Sequence, residues 1–225
     1  MAAPTVNSGH TTLAETSSVT SHVVDVPTHS SGDGIYIAIV CDGSQSFTFP
    51  AGFSKIISDT VTSSTATLAI ARKTAGGSEG STYTVTTSGS ERAVAVAWSQ
   101  SNDNGIDGTT PSPNTGSSAT ATCPSVTTTV ANTLVLRVVG TDNESSTHST
   151  VSGYTKIAEV QQASAGTISI QWIVQASAGS SGTADVTITS EQWAAATFAV
   201  AGVGGTTYEA DVTLGRSATI DVTTS

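Results

Sequence analysis

Basic side chains are scarce in this chain: Lys and Arg together number 7 of 225 residues, against 17 Asp and Glu, for a net charge of −10. A surface of that sign repels phosphate backbones and anionic lipid headgroups, so neither nucleic acid nor a membrane surface is an expected partner. Charged residues of both signs reach only 11%, where roughly 25% is usual. Cysteine is limited to Cys41 and Cys123, too few for a disulfide framework. They read as two small buried side chains, with a single bridge between the two halves of the chain as the other reading. No apolar run approaches the roughly 20 residues a spanning helix needs. The first residues, MAAPTVNSGHTTLAETSS, have neither a basic start nor an apolar stretch, so no signal peptide is expected and synthesis is expected in a cytoplasm.

What the chain does have is hydroxyls, glycine and β-branched runs. TATLAIAR (65–72), TYTVTTS (82–88), RAVAVAW (92–98), NTLVLRVV (132–139), GTISIQWIV (166–174), ADVTITS (184–190) and ATIDVTT (218–224) alternate or cluster in the manner of half-buried and buried strands. GIYIAIVC (34–41) is apolar after its glycine and predicts a central strand covered on both faces. EQWAAATFAVA (191–201) is Ala-rich enough for a helix, but it aligns with the strand-like ERAVAVAWS (91–99) and is read as a strand. Between these runs lie turn clusters at 30–34, 74–81, 101–108, 111–118 and 177–182, rich in Gly, Asn, Ser and Pro. Strand-length runs separated by such turns define an all-β chain, a jelly-roll-like β-sandwich or a barrel.

One phrase is written twice. PAGFSKI (50–56) returns as VSGYTKI (151–157), matching Gly52 to Gly153, Phe53 to Tyr154 and Lys55 to Lys156. At an offset of 101, Val85 falls on Val186, Thr86 on Thr187, Ala93 on Ala194 and Ala95 on Ala196, while GIYIAIV falls on TLVLRVV across a small gap. The expected organisation is an N-terminal arm over 1–19 with one strand near Pro4–Ser8. A duplicated sandwich follows over 20–202, with pseudo-repeats of about five strands at about 20–100 and 120–202, and then a C-terminal β extension over 203–225. Each phrase reads as a tight turn in which Gly permits a positive φ, feeding a strand whose first aromatic enters the core. The lysines share parity with those aromatics, so either they snorkel past the rings or a bulge resets the alternation. A unit of about 80 residues has a thin core on its own, which favours one joint sandwich with the halves related by a pseudo-twofold. The C-terminal extension either closes an edge of its own sandwich or pairs with a neighbouring subunit, which would make a homo-oligomer.

The repeat, together with APTV, SHVVDVP, PAGFSKI, GSEGSTYTVTTS and the NGIDG–TGSSATATCPSVTTT stretch, resembles the double-repeat β-sandwich proteins encoded beside structural genes in phage genomes and prophages. The resemblance covers about residues 3–202. It implies a non-enzymatic virion surface component: a capsid decoration protein, a head fibre or a tail appendage, with the major capsid protein or other virion proteins as partners. No catalytic residues come with it.

A search for chemistry leaves few candidates. GGSEG (76–80) matches the nucleophile-elbow pattern only formally, because it sits in a loop between strands and not between a strand and a helix. His10, His22, His29 and His148 lack metal-ligand spacing and are expected to face solvent or make hydrogen bonds. Asn102, Asp103, Asn104 and Asp107 offer carboxylate, amide and backbone oxygens suited to Ca²⁺, although the same residues build turns. Asp142, Asn143 and Glu144 form a weaker set. Acidic residues within strands, Asp185 and Asp221, are too few to suggest paired carboxylates for glycoside hydrolysis. A carbohydrate-binding module, reading host surface glycans, is the alternative function. Trp98 alternates with Val94 and Val96 and belongs in the core. Among Trp98, Trp172 and Trp193, Trp193 is the expected exposed platform, and Tyr208 is a further candidate for contact with a glycan or partner.

Overall fold

The computed structural model describes residues 1–62, 66–142 and 147–204. Every regular element among them is a strand: β1 (Thr5–Val6), β2 (Thr11–Ala14), β3 (Val19–Asp25), β4 (Gly34–Asp42), β5 (Phe47–Thr48), β6 (Ser54–Thr62), β7 (Ala66–Thr74), β8 (Thr82–Glu91), β9 (Ala93–Ser101), β10 (Asp103–Ile106), β11 (Asn114–Cys123), β12 (Thr127–Thr128), β13 (Thr133–Thr141), β14 (Thr155–Gln162), β15 (Gly166–Gln175), β16 (Gly179–Ser180) and β17 (Ala184–Gly202). All pairings are antiparallel. The chain is an all-β sandwich. Of the expected C-terminal extension, residues 205–225, including Tyr208 and Asp221, lie outside the described residues, as do Asn143 and Glu144.

Two large sheets share one strand order. The first runs β9-β4-β7-β6, with β1 and β2 following one another along the free edge of β9. The second runs β17-β13-β15-β14, with β10 and β11 on the free edge of β17. The sheets pack face to face. Tyr36, Ala38, Val40, Val94, Val96 and Trp98 of one meet Leu134, Leu136, Val138, Ala194, Ala196 and Phe198 of the other in the principal core. Tyr36 stacks on Trp98 at 5.1 Å and on Phe198 at 5.8 Å, joining the two sheets through rings.

Both large sheets are also covered on their outer faces. Because strand side chains alternate, Ile35, Ile37, Ile39 and Cys41 of β4 point away from the principal core. They pack with Ala93, Ala95 and Ala97 against Val24, Phe47, Tyr83 and Val85 of the small β3-β8-β5 sheet. In the second half Val139 and Ala195 meet Ala121, Cys123, Val186 and Ile188. The expected single joint sandwich is therefore one part of a thicker stack: outer layer, large sheet, large sheet, outer layer. Alanines on the outer faces let the layers approach closely with few aromatics to fill the gaps.

The correspondence between the halves also differs in detail from the sequence alignment. Tyr36 lies opposite Trp98 and Leu136 opposite Phe198, so equivalent positions in the large sheets are 100 apart. An offset of 101 would pair Ala93, which faces the outer layer, with Ala194, which faces the principal core. A one-residue slip exchanges the faces of a strand. The offset of 101 holds for Val85 and Val186, each on an outer layer. The difference is taken up at Arg92, which interrupts β8 and β9 in the first half. In the second half β17 runs unbroken for 19 residues through both layers.

The repeated phrases are tight turns. Phe53 N–H donates to Pro50 O at 3.2 Å and Tyr154 N–H to Val151 O at 3.0 Å, with Gly52 at φ 89° and Gly153 at φ 82°. The register then shifts between Lys55 and Ile57 in β6 and between Lys156 and Ala158 in β14. A bulge, not snorkelling, therefore resets the alternation in both halves. Two turn readings are corrected: 111–118 contains the start of β11, and 101–108 contains β10, which carries the chain from the first sheet to the second. At this crossover Asn102 holds a left-handed φ of 56° and donates through Nδ2 to Ala2 O at 2.8 Å and Ala3 O at 3.0 Å. Val203 N–H donates to Asn102 O at 3.2 Å, so the first residues and residue 203 lie side by side.

Candidate binding groove and the predicted site residues

The expected Ca²⁺ ligands are not gathered into one site. The Asp103 carboxylate turns inward, 2.5 Å from Arg72 Nη2, and accepts from Tyr36 Oη at 2.6 Å, Gln100 Nε2 at 3.0 Å and Gly105 N at 2.7 Å. A Cβ on Gly34 would lie 1.9 Å from this carboxylate, so only glycine leaves room for it. Burial and the neighbouring Asp103 charge push the Tyr36 hydroxyl well above its usual pKa. Burial is the largest single influence on Arg72 and would lower it, but the hydrogen bonds and charges of Asp103 and Tyr36 together raise it. The cluster ties the first sheet, through Tyr36 and Arg72, to the start of β10 on the second. Asp107 accepts from Thr129 N at 2.8 Å, from the Thr129 hydroxyl and from Thr133 Oγ1 at 3.3 Å, and it closes a different loop. Asn104 is exposed. Both carboxylates are thus committed to protein donors: Asp103 makes one turn-type bond, to Gly105 N, and otherwise both accept mainly from groups distant in the chain. Among the described residues no three His, Cys, Asp or Glu side chains come together in a way that could hold a metal ion.

Trp193 is not an exposed platform. It is 7% exposed, and its Nε1 donates to Ser118 Oγ at 3.1 Å. Because β17 is continuous, Trp193 falls inside the sheet and packs beneath Gly116, where a Cβ would stand 2.5 Å from the indole. Trp98 lies in the principal core, and Trp172 is half-buried against it.

The buried histidines are held by hydrogen bonds through both ring nitrogens. His22, fully buried, bonds through Nδ1 to Glu15 and through Nε2 to Thr87 Oγ1 at 3.0 Å. Glu15 lies seven residues earlier, in the connection between β2 and β3. His148 sits between Ser169 Oγ at 2.8 Å and Thr141 Oγ1 at 3.3 Å, and burial, reinforced by the Lys156 charge, pulls its pKa down to about 3. Cys41 and Cys123 are free and buried, in the first and second outer cores respectively. Burial pushes both thiols up, Cys123 to about 11.

The two halves differ most where β7 and β15 run into the following loop. In the first half Phe53, from the PAGF turn, meets Tyr83 edge to face at 5.0 Å, and the Lys73 ammonium stands 5.7 Å and 5.5 Å from the two rings. Glu79, from the GGSEG loop, accepts from Lys73 Nζ at 2.7 Å, Tyr83 Oη at 2.8 Å and Gly76 N at 2.8 Å. The Lys73 bond leads in holding its carboxyl at about pKa 2. The loop thereby closes over its own aromatics, and the GGSEG serine is left exposed, as a loop reading predicts.

The second half has no such closure. Ile173 stands where Lys73 would be, and the loop ASAGSSG carries no acid. Here Arg137, 1% exposed, lies under the Tyr154 ring at 5.2 Å and donates through Nε to its hydroxyl at 2.8 Å. The other guanidinium nitrogens donate to Gly182 O at 2.8 Å, Ser181 O at 3.4 Å and Cys123 O at 3.5 Å. What remains is an open groove of about 490 Å³ between Tyr154, Ile173, Val174 and Gln175 on one side and the loop 177–181 on the other. No single-residue signal marks this groove. The contrast between a loop with Glu79 and one without it was available in the repeat alignment.

Comparison of the chain with protein-family models, with curated proteins and with solved structures finds no match.

Proposed function

We propose that this is a non-enzymatic structural protein of a bacteriophage virion, a capsid decoration protein or head appendage on the particle surface. The observation that supports this reading best is the chemistry of the two outermost faces. On the first, Ser21, Thr82, Thr84, Thr86 and Ser88 point outward from β3 and β8. On the second, Thr120, Thr187 and Thr189 do so from β11 and β17. Hydroxyls predominate on both faces, with Val23 and Asp25 among them on the first and Asp185 on the second. The buried charged side chains behind them, Asp103, His22 and Arg137, are bound to partners within the chain. Such faces suit repeated, shallow attachment to a lattice of major capsid protein, where many weak contacts add up. Mass spectrometry of purified particles tests the reading. Many copies of the chain per particle are expected, and cryo-electron microscopy then locates them on the shell or on an appendage. Particles that lack the chain would refute the proposal.

A further inference from the structure

We infer that the groove between Tyr154 and the loop 177–181 is a binding site for a neutral oligosaccharide. Three observations carry this. First, the groove is uncharged. None of its lining residues is ionic, and Arg137, beside the Tyr154 ring, is buried and donates to the Tyr154 hydroxyl and three backbone carbonyls. An anionic ligand would find no charge partner there, and a cationic one no acid.

Second, the aromatic is fixed in advance. Tyr154 is held at its base by the Gly153 turn and at its hydroxyl by Arg137, with the guanidinium under its ring. A ring immobilised before binding loses little entropy when a flat, C–H-rich face is laid on it. Ile173, which lies on the same face of the sheet as Arg137, extends that apolar wall.

Third, the polar lining of the groove is built of groups that match sugar hydroxyls. Ser177 and Ser180 are exposed, and Gln175 is fixed by Nε2 bonds to Thr128 Oγ1 at 3.0 Å, Ser177 O at 3.1 Å and Gly179 O at 3.0 Å. That leaves the Gln175 amide oxygen as an acceptor for a ligand hydroxyl. A volume of about 490 Å³ lies within the range of about 300–1,000 Å³ typical of small-molecule sites. The corresponding place in the first half is closed by the chain's own Glu79, Lys73 and Tyr83, so one half binds and the other does not.

The inference does not rest on the virion reading, and a chain absent from particles leaves it standing. Saturation-transfer NMR on the purified chain tests it, with cellotetraose, maltotetraose, laminaritetraose, mannotetraose and chitotetraose at millimolar concentration and a tetragalacturonate as the anionic control. At least one neutral oligomer is expected to receive saturation. Tyr154→Ala should weaken that binding tenfold or more, and Phe53→Ala should leave it unchanged. Ser177→Arg, at an exposed loop position lining the groove, fills it without removing a core residue and should abolish binding even if Tyr154→Ala fails to fold. Saturation of none of the neutral oligomers, preference for the anionic control, or binding that survives Ser177→Arg would each overturn the assignment.

Discussion

Replacing His148 by Gln should flatten the acid side of the stability curve. In the folded chain His148 is neutral, bonded to Ser169 and Thr141, with the Lys156 ammonium bound to its own carbonyl at 2.5 Å and Glu159 accepting from its backbone N–H at 3.3 Å. Its pKa falls from an ordinary 6.5 to about 3, because burial and the nearby Lys156 charge both oppose a second cation. The unfolded chain takes up a proton near pH 6.5 and the folded chain does not. The contribution is therefore fully present above pH 6.5 and is lost as pH falls from there toward 3. Integrating the difference in bound protons gives a loss of about 2 kcal/mol at pH 5 and about 3 kcal/mol at pH 4. Urea unfolding followed by tryptophan fluorescence at half-unit steps from pH 7.5 to 4.5 would measure it. The carboxylates titrate in both proteins, so the informative quantity is the difference between wild type and His148→Gln. That difference should favour wild type at pH 7 and shrink steadily below pH 6.5. Parallel curves across the window would show that His148 is protonated in place, and the reasoning from its burial would be refuted.

Asp103→Ala removes the acceptor shared by Arg72, Tyr36 and Gln100, leaving partly buried donors unmatched, and should cost about 3–5 kcal/mol, read as a lowered urea midpoint. Gly116→Val puts a side chain where the Trp193 indole lies. It should destabilise by about 1–3 kcal/mol and red-shift tryptophan emission as that ring is displaced, whereas an unchanged spectrum would contradict the packing described. Neither thiol should react with Ellman's reagent in the folded protein at pH 8, because both are buried, and both should react at once in urea. Rapid labelling of native protein would count against closed outer cores.

The strands were readable where apolar residues dominate. GIYIAIVC could be assigned to a strand covered on both faces because its seven apolar positions after Gly34 are mostly β-branched or aromatic and the run is of strand length, and the stack of layers is the physical form of that covering. The Ala-rich 191–201 segment became a strand for the reason the alignment implied, although its alanines would also suit a helix. What could not be read was which polar side chains face inward. Asp103 and Asp107 have the composition of a cation loop, yet their carboxylates point at Arg72 and Thr129, partners 31 and 22 residues away. Trp193 looked exposed because Glu191 and Gln192 precede it, and only the pairing of β17 with Gly116 on β11 shows it covered. The alignment offset hid the extra residue at Arg92, since alanine stands on both faces there and gives no parity to follow. The groove at Tyr154 depends on a difference between two loops of similar composition, and a search for conspicuous side chains passes over it.

The meeting of Ala2, Asn102 and Val203 at one corner of the stack has a mechanical meaning. Chain that adjoins this body on either side departs from the same spot, so a tether on one end or on both holds the block by a single corner. A fusion partner or fluorescent label joined after residue 203 would sit beside the N-terminus and leave the far end of the stack clear.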